Sequence, residues 1–164
     1  MTQQHEDIAL ATTLDTLEAT PDIIVDQLWA SATEYYKRDD LDRARDYLDK
    51  LIKMRPDNVR FLTLLGVVYR RQKRRAAALI CFQKAAKLDQ TYRNALVNLG
   101  ETLIEVGKVP AGVKLLRAVF EEGRDPSKPP EEQDEFTIRA GAMLEFVQQS
   151  INAFVEHERG AATD

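Results

Sequence analysis

The stretch Leu62-Thr63-Leu64-Leu65-Gly66-Val67-Val68-Tyr69, followed by Ala78, Phe82 and Ala85, decides the fold. Its residue types return at a fixed distance on either side. At a step of 34 towards the C-terminus stand Leu96, Leu99, Gly100, Leu103, Gly112, Leu116 and Val119. At the same step towards the N-terminus stand Leu28, Ser31, Ala32, Tyr35, Ala44, Leu48 and Leu51, with Pro56 closing the copy. One match of this kind arises by chance; three in phase mark a repeat.

The pattern resembles the tetratricopeptide repeat, a helix–turn–helix unit of this period. The resemblance implies an all-α fold, an α-α superhelix of three such repeats. Its spacing has a mechanical reason. Ala32, Gly66 and Gly100 let the first helix of each pair approach the second closely, and Ala44, Ala78 and Gly112 do the same from the other side. Tyr35, Tyr69 and Leu103, with Leu48, Phe82 and Leu116, then fill the space between the pairs. Helices are expected at about 21–38 and 41–54, 58–71 and 75–88, and 92–106 and 109–123. The turns fall at Asp39-Asp40, Lys73-Arg74 and Gly107-Lys108. Thr20-Pro21 reads as an N-cap and first helical residue, Pro110 sits at another helix start, and Pro56 follows a helix end.

Around the repeats, which occupy 21–126, the chain carries two further segments and a tail. Residues 1–20 contain an amphipathic stretch, 6–19, with Leu10, Leu14 and Leu17 on one helical face. It is too short to be a stable helix alone, so it must pack either on its own repeats or on another subunit, which makes it a candidate dimerisation segment. Residues 127–158 read as a loop and a C-terminal capping helix, about 131–156. Its Phe136, Ala140, Met143, Val147, Ile151 and Phe154 recur at steps of three and four. A repeat array exposes an apolar face at its last unit, and a helix with one apolar stripe covers it. Residues 159–164 form a tail.

The 164 residues carry 23 basic and 27 acidic side chains, a net charge of −4. That balance speaks against a nucleic-acid binder, whose affinity rests on neutralising phosphates, and against an anionic membrane surface as partner. The single cysteine, Cys81, excludes an intrachain disulfide and fits a reducing cytoplasm. No apolar run reaches the ~20 residues of a membrane span. Met1 to Asp7 lacks the basic and apolar regions of a signal peptide. The expected location is cytoplasmic.

Little in the chain points to chemistry. His5 and His157 stand near the two ends, and neither metal-ligand spacing, a phosphate loop nor a nucleophile elbow occurs. Ser31 occupies a packing position, Cys81 precedes the packing residue Phe82, and Asp39-Asp40 and Glu121-Glu122 suit turns and solvated faces. No catalytic residue, cofactor or metal is expected, and the protein is read as no enzyme. The run Arg70-Arg71-Gln72-Lys73-Arg74-Arg75 puts five positive charges in six residues. It surrounds an inter-helix turn and has no interleaved aromatic for base stacking, so it is read as turn-flanking.

Binding is what remains. In a tetratricopeptide array the first helices line a concave groove. Repeat phase places Trp29, Thr33 and Tyr36 there, then Thr63, Val67 and Arg70, then Val97, Asn98 and Glu101. Domains of this type that clamp a C-terminal carboxylate place Lys, Asn and Arg at fixed groove positions. The corresponding Trp29, Thr33, Leu64, Asn94 and Asn98 include neither Lys nor Arg, so the groove suits an extended peptide with apolar anchors.

The whole layout resembles the class II chaperones of type III secretion systems, which guard translocator proteins. An N-terminal segment, three repeats and a C-terminal helix match that family's plan. So do Gln27-Leu28-Trp29 through Tyr36 to Ala44, Arg60-Phe61, Leu65-Gly66 and Met143-Leu144-Glu145. Thr33 stands where an aromatic is common, and Leu41 replaces a frequent tyrosine. The resemblance implies a cytoplasmic chaperone without enzymatic activity. It would hold an extended apolar segment of a hydrophobic translocator protein in the groove, and it would form homodimers, with no nucleic-acid or membrane partner. The alternative is a general tetratricopeptide interaction scaffold in another assembly.

Overall fold

Three helix pairs and a final long helix make up the computed structural model, which describes residues 21–161. Among the described residues every regular element is helical. The segment 6–19, with Leu10, Leu14 and Leu17, lies outside them. The chain divides after Met54 into two compact units.

Among its described residues the first unit is one hairpin, α1 (Pro21–Lys37) against α2 (Leu41–Met54). Ala32 and Ala44 are both fully buried, as the close approach of the two helices requires, and Leu48 and Leu51 are buried with them. Tyr35 lies at the edge, only half-buried. It stacks on Tyr47 with ring centroids 5.4 Å apart and carries the Arg43 guanidinium over its ring.

The second unit holds α3 (Val59–Arg71), α4 (Arg75–Leu88), α5 (Arg93–Glu105) and α6 (Val109–Gly123), then a loop and α7 (Glu135–Ala161). Asn58 caps α3, its side chain accepting from the backbone N–H of Arg60 and Phe61. A Cβ at Gly66 would stand 2.5 Å from the Phe82 ring, and one at Gly100 2.6 Å from Leu116. One at Gly112 would meet the Gly100 carbonyl oxygen at 2.6 Å. At each of these glycines the partner helix leaves no room for a Cβ.

All three inter-helix turns share one geometry. Asp39, Lys73 and Gly107 have φ of 63°, 63° and 82°. The next amide in each case, of Asp40, Arg74 and Lys108, donates to the carbonyl five residues back at 2.9, 2.9 and 2.8 Å. A left-handed residue with this bond closes a helix by satisfying carbonyls its last turn leaves open.

The C-terminal helix differs from expectation at both ends. It begins at Glu135 rather than about 131, because Asp134 caps it: the carboxylate accepts from the backbone N–H of Phe136 and Thr137. Before it, Pro130–Glu132 form one short 3-10 turn. The Gln133 side chain pins the loop, accepting from the Asp125 amide and donating to the Asp125 and Lys128 carbonyls. The helix continues to Ala161, so residues 159–161 belong to it and not to a tail.

Only the first half of α7 acts as a cover. Ala140, with Phe136, Met143 and Leu144 beside it, packs on Val97, Leu116 and Val119 of α5 and α6. Further along, Val147 is buried, yet Ile151 is 50% and Phe154 65% exposed. The apolar stripe thus runs on past the repeats it covers.

Candidate peptide-binding face

On α1 the side chains of Trp29, Thr33 and Tyr36 share a face, at steps of four and three. All three are half-buried. The Thr33 hydroxyl donates back to the carbonyls of Trp29 and Ala30 at 3.0 and 2.9 Å, so its polar group is satisfied within the helix. This face is apolar with aromatic edges.

On α3, Thr63, Val67 and Arg70 repeat that register, but they are not equivalent in exposure. Val67 and Arg70 are half-buried, whereas Thr63 is only 3% exposed and donates its hydroxyl to the Val59 carbonyl. On α5, Val97 has no exposed surface at all; it is a core residue beneath α6 and α7. Asn98 is 2% exposed, its amide nitrogen donating to the backbone and side-chain oxygens of Asn94. Thr63 and Val97 stand one repeat apart, on helices that have further elements packed beyond them.

Glu101 is the focus of charge on this side of the unit. Its side chain is 10% exposed and receives two arginines. Arg70 from α3 donates to Oε2 at 2.5 Å, and Arg139 from α7 donates to both carboxylate oxygens at 2.9 Å. A nearly buried carboxylate demands such partners, because leaving it bare would cost several kcal/mol. Sequence reasoning identified Arg70 and Glu101 but missed Arg139. A signal existed: an arginine immediately before Ala140 in the apolar stripe, opposite an acidic residue at a packed repeat position.

The basic run is absorbed largely within the unit. Beyond Arg70, the Arg74 guanidinium lies 4.6 Å from the Tyr69 ring centroid, and Arg75 pairs with Glu105 at 3.3 Å. Lys73 is the left-handed turn residue.

A second charged cluster fastens α7 to α5. Arg93 pairs with Asp134 at 2.7 Å and donates to the Val119 carbonyl and the Thr137 hydroxyl. Burial alone would push the Asp134 carboxyl up. Hydrogen bonds from Arg93 and Thr137, with the Arg93 charge, outweigh it and hold the group at about 2, against an ordinary 3.8. Among the described residues, no group of three histidine, cysteine or acidic side chains is placed to hold a metal ion, and Cys81 is buried. No helix of the described residues is long and apolar enough to cross a membrane.

The tetratricopeptide repeat family model matches residues 30–93. No curated protein matches the chain by sequence. Among solved structures, the Yersinia enterocolitica type III secretion translocator chaperone SycD is similar at a TM-score of 0.70 and 20% identity, over 82% of this chain and 90% of its own. PcrH from Pseudomonas aeruginosa, in complex with the chaperone binding region of PopD, gives 0.68 and 20%, over 82% and 98%. The first tetratricopeptide domain of Spaghetti (RPAP3), bound to an HSP90 peptide, gives 0.66 and 22%, over 78% and 93%. At these identities the likeness establishes the fold, which is the tetratricopeptide one.

Proposed function

We propose that this chain is a cytoplasmic chaperone of type III secretion translocator proteins, acting by binding and not by catalysis. The observation that carries the reading is the extent of the likeness to SycD and PcrH. It spans 82% of this chain and nearly all of theirs. PcrH was solved holding part of PopD, which supports an analogous cargo here. Within the first unit, Trp29 and Tyr36 are half-buried apolar contacts of the kind an extended segment anchors on; within the second, Val67 is half-buried as well. A membrane-inserting cargo needs such cover, since large bare apolar patches associate nonspecifically in water. The Leu10, Leu14 and Leu17 stripe would serve a homodimer, and deleting residues 1–19 should then shift the protein towards monomer in sedimentation.

The reading is tested by co-expression pull-down with identification of the bound protein, followed by calorimetry on the bound segment. Trp29→Ala and Tyr36→Ala should each weaken binding by roughly 1–3 kcal/mol while helicity is kept. Unchanged affinity in well-folded variants would defeat the assignment of this face. A second reading, a general interaction scaffold, is favoured by the likeness to the Spaghetti domain with its HSP90 peptide. Recovery of a cargo unrelated to secretion would select it.

A further inference from the structure

Two arginines from helices far apart in sequence meet on one carboxylate, and the sum of their charges is not zero. Arg70 and Arg139 both touch Oε2 of Glu101, at 2.5 and 2.9 Å, so the two contacting nitrogens lie no farther apart than those two bonds laid end to end. Two cations so close repel unless an anion sits between them, and Glu101 is that anion. It neutralises only one of the two. Each guanidinium carries five N–H donors, and Glu101 engages a single nitrogen of each. The side chains remain 22% and 32% exposed, and none of their other nitrogens is both buried and unpartnered. Arg70 also shares its helix face with Val67, one turn away.

We propose that Arg70 and Arg139 form a reading site for an acidic side chain of the bound segment, with Glu101 as the resident carboxylate that keeps the pair assembled when no segment is present. The inference rests on the binding role proposed above. An aspartate or glutamate arriving beside Val67 takes the free edges of both guanidinium groups, and planar forks suit a carboxylate better than an ammonium would. A neutral residue there gains no comparable bond. The site thus adds one charged requirement to an otherwise apolar preference, and it makes α7 part of the recognition surface as well as a cover.

The test uses the full chain and short synthetic peptides of Val, Leu, Pro and Ala that differ only in carrying one Glu or one Gln at each position in turn. Binding is read by fluorescence polarisation, with circular dichroism as the check on folding. The wild type should favour Glu over Gln at one position by about tenfold, the scale of one charge-assisted hydrogen bond. Arg139→Gln should bring the ratio of Glu-peptide to Gln-peptide affinity down to about one. Arg139→Lys, which keeps the charge and loses the fork, should lose most of the preference. Glu101→Gln removes the resident carboxylate and should strengthen binding of the Glu peptide, a change that a purely structural ion triplet would not produce. Equal binding of Glu and Gln peptides, or a preference that survives Arg139→Gln, would overturn the site and leave the chaperone reading standing. Failure of every peptide to bind would overturn both.

Discussion

Lys73 adopts a backbone conformation that side chains with a Cβ occupy at a cost of about 1–2 kcal/mol, and Gly107 fills the equivalent place one repeat later without it. Lys73→Gly should therefore raise stability by roughly 0.5–1 kcal/mol in urea denaturation, the relief of strain exceeding the entropy that glycine loses on folding. Gly66 works the other way. Phe82 is fully buried and stands where a Cβ would go, so Gly66→Ala should cost roughly 1–3 kcal/mol in the same measurement. The sequence is legible at this scale wherever a residue's role is set by its own pair. The small residues and Leu48, Phe82 and Leu116 lie where repeat phase puts them. Tyr35 and Tyr69 do not fill the core as the pattern implies; both stay half-buried beside arginines. Exposure at Thr63 and Val97 could not be read from phase, because it depends on which element packs next in space.

Among the elements, the six repeat helices start and stop within a residue of the positions read from the period, since the turn chemistry recurs with it. The seventh has no period to fix it. Glu131 and Glu132 are good helix formers, but Asp134 offers the better N-cap and Pro129 and Pro130 tighten the approach, so the helix begins later. Asp134 also makes its start sensitive to acid. Its carboxyl is held at about 2 in the folded chain and lies near 3.8 when unfolded. A group whose folded value is depressed stabilises the fold above its unfolded value, and that contribution is lost as pH falls through about 4 to about 2. Asp134→Ala should lower stability at neutral pH by roughly 0.5–2 kcal/mol, the worth of an N-cap. The deficit against wild type should shrink when thermal melts are repeated between pH 4 and pH 2. A deficit that stays constant with pH would place the stabilisation elsewhere.

For the molecule as a whole, the uneven use of α7 separates two truncations. Removing residues 148–161 takes away a stretch whose large apolar side chains, Ile151, Phe154 and Val155, are exposed, and stability should change by less than about 1 kcal/mol. Ending the chain after residue 133 removes Phe136, Ala140 and Met143 from the cluster around Leu116 and Val119. The loss should exceed about 3 kcal/mol in urea denaturation, with aggregation as its visible sign. That cover also has a place in time. Val147, the last residue of α7 described as buried, follows Val119 by 28 positions. At about 5–20 residues added per second, the last pair leaves synthesis with its apolar side bare for roughly 1–6 s. During that interval a newly made chain offers the same kind of surface that it is proposed to shield on others, and slowing translation over 120–147 would lengthen the exposure.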